Sequence, residues 1–470
     1  MKQEQRAEIQ AGLKALPPKR DRRELGQDRF TVQLPLKTIT PIMSGGAVSR
    51  RVSREQPIRV ASVRGQLRLW WRALIGHTFA NANDLRAAEA KLWGGATGRE
   101  AMLASAVSIS ISYNKTTSQV IQTDVTWQDP DFYITWPAQS FGGANPSERW
   151  REGLEFDITL SGPKASKALL EDTLKAWLLF GGYGGRARRG MGAITVRDPA
   201  KARQWLPATA DLPTLSAHFT SCPDWLTHTA PNPHETPSLR GAGLAIEPLS
   251  KPNAMNQWMK AISWMKDFRQ GSPPNGRAVE GPDAAKYARV GSPDPRRPSI
   301  SNWPEADKIR RVFSAQGPFT HTPRHNDRII WPRASFGLPI QVQFQKMDRH
   351  KNRNAYREPN NVMINLQGEQ QNRLASPLII KPMAVGDGAQ FVPCALWLNR
   401  AFPSDDLAPA LTTETRRSKG SWDELIAPGD TALFRPLSVG QRAPRGKRLR
   451  TAFFEWLREH PAQNITLLNP

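Results

Sequence analysis

The chain has 470 residues, with 65 lysines and arginines against 42 aspartates and glutamates, a formal net charge of +23. Charge this one-sided says nothing of fold but points to a polyanionic partner, RNA or DNA ahead of an anionic membrane, since no long basic amphipathic helix stands out. The two cysteines, Cys222 and Cys394, exclude a disulfide framework and a cysteine-rich zinc site and fit a reducing cytosol, while no apolar run approaches the ~18 residues of a membrane span and the charged start lacks a signal-peptide core.

Residues 1–25 are polar and charged and read as a loose N-terminal arm. FTVQLPLKTITPIM (Phe30–Met43) alternates as a strand does, with Pro35 suggesting an edge position or a bulge, and Gly45-Gly46 breaks it. An arginine-rich loop leads to Ser62, a candidate N-cap for a helix reaching about Phe79. ASAVSISISY (Ala104–Tyr113) alternates strictly and is the clearest strand in the chain. Phe156–Leu160 reads as a short strand, Lys164–Phe180 as an amphipathic helix and Ala193–Arg197 as a closing strand. Strand, helix, strand, strand, helix, strand is the order of a ferredoxin-like domain, here 26–200. Its two helices cover one face of a four-stranded antiparallel sheet and leave the other for a ligand. Residues 115–155 are then an insertion.

Prolines at 207, 213, 223, 231, 233 and 237 mark 201–240 as a linker or irregular insertion. The second unit, 241–470, predicts a helix over Met255–Arg269 and strands over Gly337–Gln345, Ser376–Met383 and Phe391–Leu398, with a last helix over Leu449–His460. No short-period repeat is present, only a hint of one domain type used twice. The fold class is α+β.

Two segments carry chemistry. The first is GGYGGRARRGMG (181–192), between a helix and a strand. Its glycines allow sharp bends and close approach, and Arg186, Arg188 and Arg189 offer guanidinium forks suited to phosphate oxygens. It is no Walker loop, lacking Gly-Lys-Ser/Thr, and its order is the reverse of a dinucleotide-binding turn. The bland alternative is a basic connector. The second segment holds Arg50, Arg51, Arg54, Arg59, Arg64, Arg68 and Arg72 against one acid, Glu55. In the predicted helix Arg64, Arg68 and Arg72 fall at i, i+4 and i+8 and form a ridge, beside an apolar stripe of Leu67, Trp70, Trp71 and Leu74. With no carboxylate interleaved, the ridge is expected to meet phosphates. Of the sixteen tryptophans most are expected in cores or interfaces, with a few free to stack on bases.

TPIMSGGAVSRR (Thr40–Arg51), PIRVASVRGQLRLWWRAL (Pro57–Leu74) and GGYGGRARRGMGAI (Gly181–Ile194) resemble the RAMP proteins of CRISPR systems, above all the subunit-one family of the type III-B Cmr effector complex. RASFGLPI (Arg333–Ile340) and RLASPLIIKP (Arg373–Pro382) are similar to that family's second half. The resemblance implies two ferredoxin-like RAMP domains in a crRNA-guided complex, placed near the 3′ end of the guide among other RAMP subunits, with target slicing carried out elsewhere. Leu69 stands where the family often has Phe, and the second half carries long insertions at about 270–325 and 400–447.

Catalytic signals are sparse. His321 and His325 have i, i+4 spacing with Asp327 nearby, but Pro323 between them argues against a helical metal pair. Some RAMP proteins process crRNA with a histidine, for which His77, His325 or His350 would serve. The expectation is a non-catalytic subunit without metal or cofactor that binds crRNA or single-stranded target RNA by its backbone. Its contacts would be Arg50, Arg51, Arg54, Arg59, Arg64, Arg68, Arg72, Gly182, Gly184, Gly185, Arg186, Arg188, Arg189 and Gly190, with Arg333 and Arg373 as weaker candidates. The alternatives are a metal-independent endoribonuclease that matures crRNA and a scaffold docking acidic proteins.

Overall fold

In a computed structural model of the chain, the described residues are 28–96, 102–113, 118–126, 131–140, 142–226, 236–270, 305, 309, 331–342, 362–366, 373–401, 409–412, 417–419, 449–458 and 464–469. The first unit is built from β1 (Arg29–Thr38), α1 (Val60–Ile75), α2 (Ala82–Trp93), β2 (Ser108–Tyr113), β3 (Glu155–Pro163), α3 (Lys167–Phe180) and β4 (Ile194–Val196). Its sheet runs β2-β3-β1-β4, with every pair antiparallel. That is the ferredoxin-like arrangement expected, with α2 and the 115–155 segment added.

Period-two alternation sets its two faces. Leu34, Leu36, Phe156, Ile158 and Leu160 turn inward, while Thr31, Gln33, Ser108, Ser110 and Ser112 face solvent. β2 begins at Ser108 rather than Ala104 because the Ser105 hydroxyl bonds both backbone groups of Val107, turning the chain there. Pro35 does not mark an edge, since β1 lies between β3 and β4. It is tolerated because β4 has ended at that level, and its carbonyl accepts from the Arg197 N–H at 2.8 Å. α1 starts two residues before Ser62, with Arg59 at the N-cap and no side-chain cap.

The 201–240 stretch, read from sequence as a linker or irregular insertion, holds most of α4 (Pro199–Trp205) and all of α5 (Leu212–Ser216). Asp198 and Asp211 cap them through the Lys201 and Thr214 N–H groups. Phe219 and Trp225 pack with Phe180 of α3, ring centroids 6.4 and 5.5 Å away, so this stretch closes the first core.

The second unit repeats the order: β5 (Ser238–Ile246), α6 (Ala254–Gln270), β6 (Leu378–Val385), β7 (Gln390–Asn399), α7 (Leu449–Arg458) and β8 (Thr466–Leu468). Its sheet, β6-β7-β5-β8, is antiparallel throughout. The molecule is α+β with two ferredoxin-like units. A separate antiparallel sheet joins Ile340–Val342, part of the strand expected over Gly337–Gln345, and Val362–Leu366 to Pro409–Thr412 and Arg417–Lys419 of the 400–447 insertion.

The two sheets differ in what covers them. α6 and α7 lie on one face of the second sheet, where Leu378, Ile380, Ala395 and Trp397 join Trp258, Phe268 and Phe453. α1 and α3 of the first unit lie on its other face, with Ile379, Leu396 and Leu244 in the first unit's core. The layers therefore run sheet, helices, sheet, helices. A strand buried on both sides is apolar at every position, as LIIKPMAV of β6 is, except for Lys381. Of the two ferredoxin-like sheets, the first alone keeps an open face among the described residues.

Candidate nucleic-acid interface

α1 packs by Val63, Leu67, Trp70, Trp71 and Leu74, which fixes its arginines on the opposite flank. Its N-terminal end is tied to the glycine-arginine turn, since the Arg59 N–H donates to the Tyr183 hydroxyl at 2.9 Å. With no side-chain cap and no acid in the first turn, that end keeps its partial positive charge. The turn is also joined to the loop after β1, where Gly185 N–H donates to Met43 O at 2.5 Å. The 131–150 segment is drawn to the same place by Arg50, whose guanidinium donates to the carbonyls of Ala138, Gln139 and Asn145. The β1–α1 loop, the turn and the inserted segment thus meet on one side of the first unit.

Within the turn the residues divide. Ala187–Arg189 is a single 3-10 turn between Arg186 and Gly190, both left-handed at φ 58° and 82°. Arg188 donates to Ser376 O and Arg189 to Leu378 O at 3.2 Å, both at the start of β6. The Trp258 indole of α6 returns a bond to Arg189 O at 2.7 Å. Burial lowers the pKa of Arg188, and burial followed by the Arg269 charge lowers that of Arg189 to about 9. A Cβ at Gly190 would overlap the Trp258 indole and reach Ile380 O at 2.7 Å. Gly182 is buried, and Gly184, at φ 89°, lies against Met43 O. The expectation that these groups serve a backbone ligand is corrected: Arg188, Arg189, Gly182, Gly184 and Gly190 are committed to the joint between units and to the turn's own packing. The Arg186 guanidinium makes no hydrogen bond among the described residues, it is half-buried with its pKa lowered by that burial, and Gly185 beside it is exposed.

The ridge is corrected in a second respect, because a carboxylate does neutralise it. Glu89 of α2, buried, pairs with Arg68 Nε at 2.6 Å and with Arg72 Nη1. Two guanidiniums on one carboxylate keep a net charge of +1 and expose their remaining N–H groups. Arg64 donates to Ser105 Oγ at 2.7 Å and Val107 O at 3.2 Å. Arg50 is a strut, as described above. Arg54 lies 3.3 Å from Glu148 but stays exposed. Arg51 and Arg59 are exposed, and their guanidiniums have no partner among the described residues. At 1.5 Å per residue Arg72 sits about 18 Å along α1 from Val60, so the ridge leads away from the turn. Exposed Arg51 and Arg59 and half-buried Arg186 are the cations at the meeting point whose guanidiniums have no hydrogen-bonded or ion-paired partner among the described residues.

Elsewhere, Arg333 is bound to buried Glu305 (Nε–Oε2 3.2 Å) and Arg373 is exposed. His321, His325, Asp327 and His350 lie outside the described residues, among which no His/Cys/Asp/Glu group could hold a metal. His77 is half-buried, and burial holds buried Cys222 and Cys394 up at about 11 and 12. No helix of the described residues is long and apolar enough to cross a membrane. Sequence reasoning missed Lys381, whose amine donates at 2.8 Å to Leu178 O and Gly181 O at the end of α3. Its signal was a lone cation inside a continuous apolar run.

Residues 35–195 match the family model described as the RAMP superfamily. A curated relative, the CRISPR system Cmr subunit Cmr1-2 of Pyrococcus furiosus, is 27% identical over 177 residues, 34% of this chain and 92% of that protein. The crystal structure of Cmr1 from Pyrococcus furiosus in its apo form aligns with TM-score 0.44 and 14% identity over 93% of this chain and 98% of that one. A chain of the type III-B Cmr-beta complex bound to cognate target RNA aligns with TM-score 0.40 and 10% identity over 80% and 96%. The family match runs from within β1 into β4, the turn included, so it is the first unit that is similar to the RAMP superfamily.

Proposed function

We propose that the chain is a non-catalytic RNA-binding subunit of a type III-B Cmr interference complex in antiviral defence, holding crRNA or target RNA near the 3′ end of the guide among other RAMP subunits. The curated relative, a Cmr subunit aligned over nearly its whole length, supports the assignment to such a complex. The observation that carries RNA binding is the convergence of Arg51, Arg59 and Arg186, free of carboxylates, on the exposed Gly185 and the uncapped end of α1, in a chain of net charge +23. Such an array grips phosphates without reading bases. Arg54 and the Glu89-held pair Arg68 and Arg72 extend the positive surface.

Binding of labelled single-stranded RNA, titrated against salt, tests this. Each lost phosphate contact lowers the log–log slope by about 0.7, so replacing Arg51, Arg59 and Arg186 together by alanine should flatten it by about two. An unchanged slope refutes the assignment of these residues. Incubation with repeat RNA in EDTA tests the absence of catalysis, and defined cleavage products would make the chain an endoribonuclease instead.

A further inference from the structure

Thirteen of the tryptophans fall among the described residues, Trp127, Trp303 and Trp422 lying outside them. Twelve of the thirteen are buried, and Trp136 is 48% exposed. An indole left in water is costly unless something covers it. Its support is rigid. Trp136 follows the helical turn Phe132–Thr135 and opens the 3-10 turn Trp136–Ala138, with Pro137 next to it. Ile134 is buried in the second unit's core and Tyr133 is packed against that core. Arg50 clamps the carbonyls of Ala138 and Gln139, and the Gln139 amide donates to Val125 O at 2.5 Å. Arg50 stands next to exposed Arg51 in the β1–α1 loop, so its bonds to Ala138, Gln139 and Asn145 set the inserted segment and its exposed indole beside that loop's cations.

We propose that Trp136 is a stacking platform for one nucleobase of a single-stranded RNA whose neighbouring phosphate lies at Arg186. A flat aromatic face in a cationic surround matches an unstacked base with its phosphate better than it matches an apolar protein patch, which would bring no charge for Arg186 and Arg51 to meet. Being rigidly held, the indole loses little freedom on binding. The proposal rests on the RNA-binding reading above and adds to it a base subsite.

The test uses the full chain and a labelled single-stranded RNA, compared with the same RNA carrying abasic positions. Stacking on one base is expected to give the Trp136→Ala variant about ten-fold weaker binding, with Trp136→Phe retaining most of the affinity. The abasic RNA should cost the wild type a similar factor and Trp136→Ala nothing further. The salt slope should not move, because no phosphate contact is lost. Equal affinities of wild type and Trp136→Ala, with the wild-type salt slope intact, overturn the platform alone. No RNA binding by the wild type overturns the functional reading and the platform with it. A Trp136→Ala variant that binds RNA normally but fails to join neighbouring subunits overturns the platform in favour of a protein contact. The half-exposed side chain leaves the unfolding midpoint as a control on folding.

Discussion

Arg186 and Arg189 stand three positions apart in one turn and face different partners. Arg189 donates to Leu378 O, its own carbonyl takes the Trp258 indole, and burial lowers its pKa to about 9. The Arg186 guanidinium, half-buried, has no hydrogen bond among the described residues and lies beside exposed Gly185. A cationic loop where two units meet is first of all cement between them. Only the charge left over after docking can meet a ligand. A count of arginines in the motif therefore overstates its grip on a polyanion, here by two of three.

The largest expected effect comes from breaking the cement. Arg189→Ala removes a buried, charge-assisted donor and leaves Leu378 O with only the Ser376 hydroxyl, which donates at 3.2 Å. It should lower stability by about 2 kcal/mol, read as a shift of the urea midpoint, while the RNA salt slope stays at the wild-type value. Arg186→Ala should do the opposite, holding stability within about 0.5 kcal/mol and lowering the slope by about 0.7. If both variants move the same observable, the division between joint and surface is wrong.

Lys381 sharpens the comparison from the other side of the joint. It is fully buried, holds the end of α3 at Leu178 O and Gly181 O, and burial pulls its pKa down from 10.5 to about 7. Above pH 7 the folded chain has released a proton that the unfolded chain keeps until about 10.5, so stability should rise with pH from 7. Cys394, opposite it in register, acts in the reverse sense above pH 9, where the folded thiol keeps a proton that the unfolded one loses. Burial lowers His218 to about 4 and raises Asp267 to about 6, so both act below pH 7. In the window from pH 7 to 9 the melting temperature of the wild type should climb and that of Lys381→Met should climb less. Parallel curves would remove Lys381 as the source.

The joint was hard to read from sequence for a physical reason. Period-two alternation in SISISY and in FTVQLPLK reports a sheet with one wet face, and with the chain order of the elements it led to the antiparallel ferredoxin-like fold of the first unit. The continuous runs of β6 and β7 gave strands but were not read as buried on two sides, which is what places a second layer of helices over them. The spacing of Arg64, Arg68 and Arg72 gave the ridge, but the carboxylate that pairs with it comes from α2, 17 residues beyond Arg72. Gly190 is a glycine because of Trp258, 69 residues further on than Arg189, which accepts its indole N–H. Local pattern shows which face a side chain takes. It does not show which distant group is waiting there.

The smallest effect separates the ridge from the turn. Ala61, Gly65, Arg68 and Arg72 follow one another at helical spacing along the outer flank of α1, and Gly65 is exposed. A Cβ at Gly65 would meet nothing within 4 Å, whereas at Gly190 it would strike Trp258. The helix therefore gains nothing from glycine here, and Gly65→Ala should raise stability by about 0.5–1 kcal/mol through the lost freedom of the unfolded chain. An RNA strand crossing the ridge closely enough to use Arg68 and Arg72 together would touch that added methyl. Stability gained with RNA affinity lost puts the strand across the ridge, and stability gained with affinity unchanged confines it to the turn, Arg51 and Arg59.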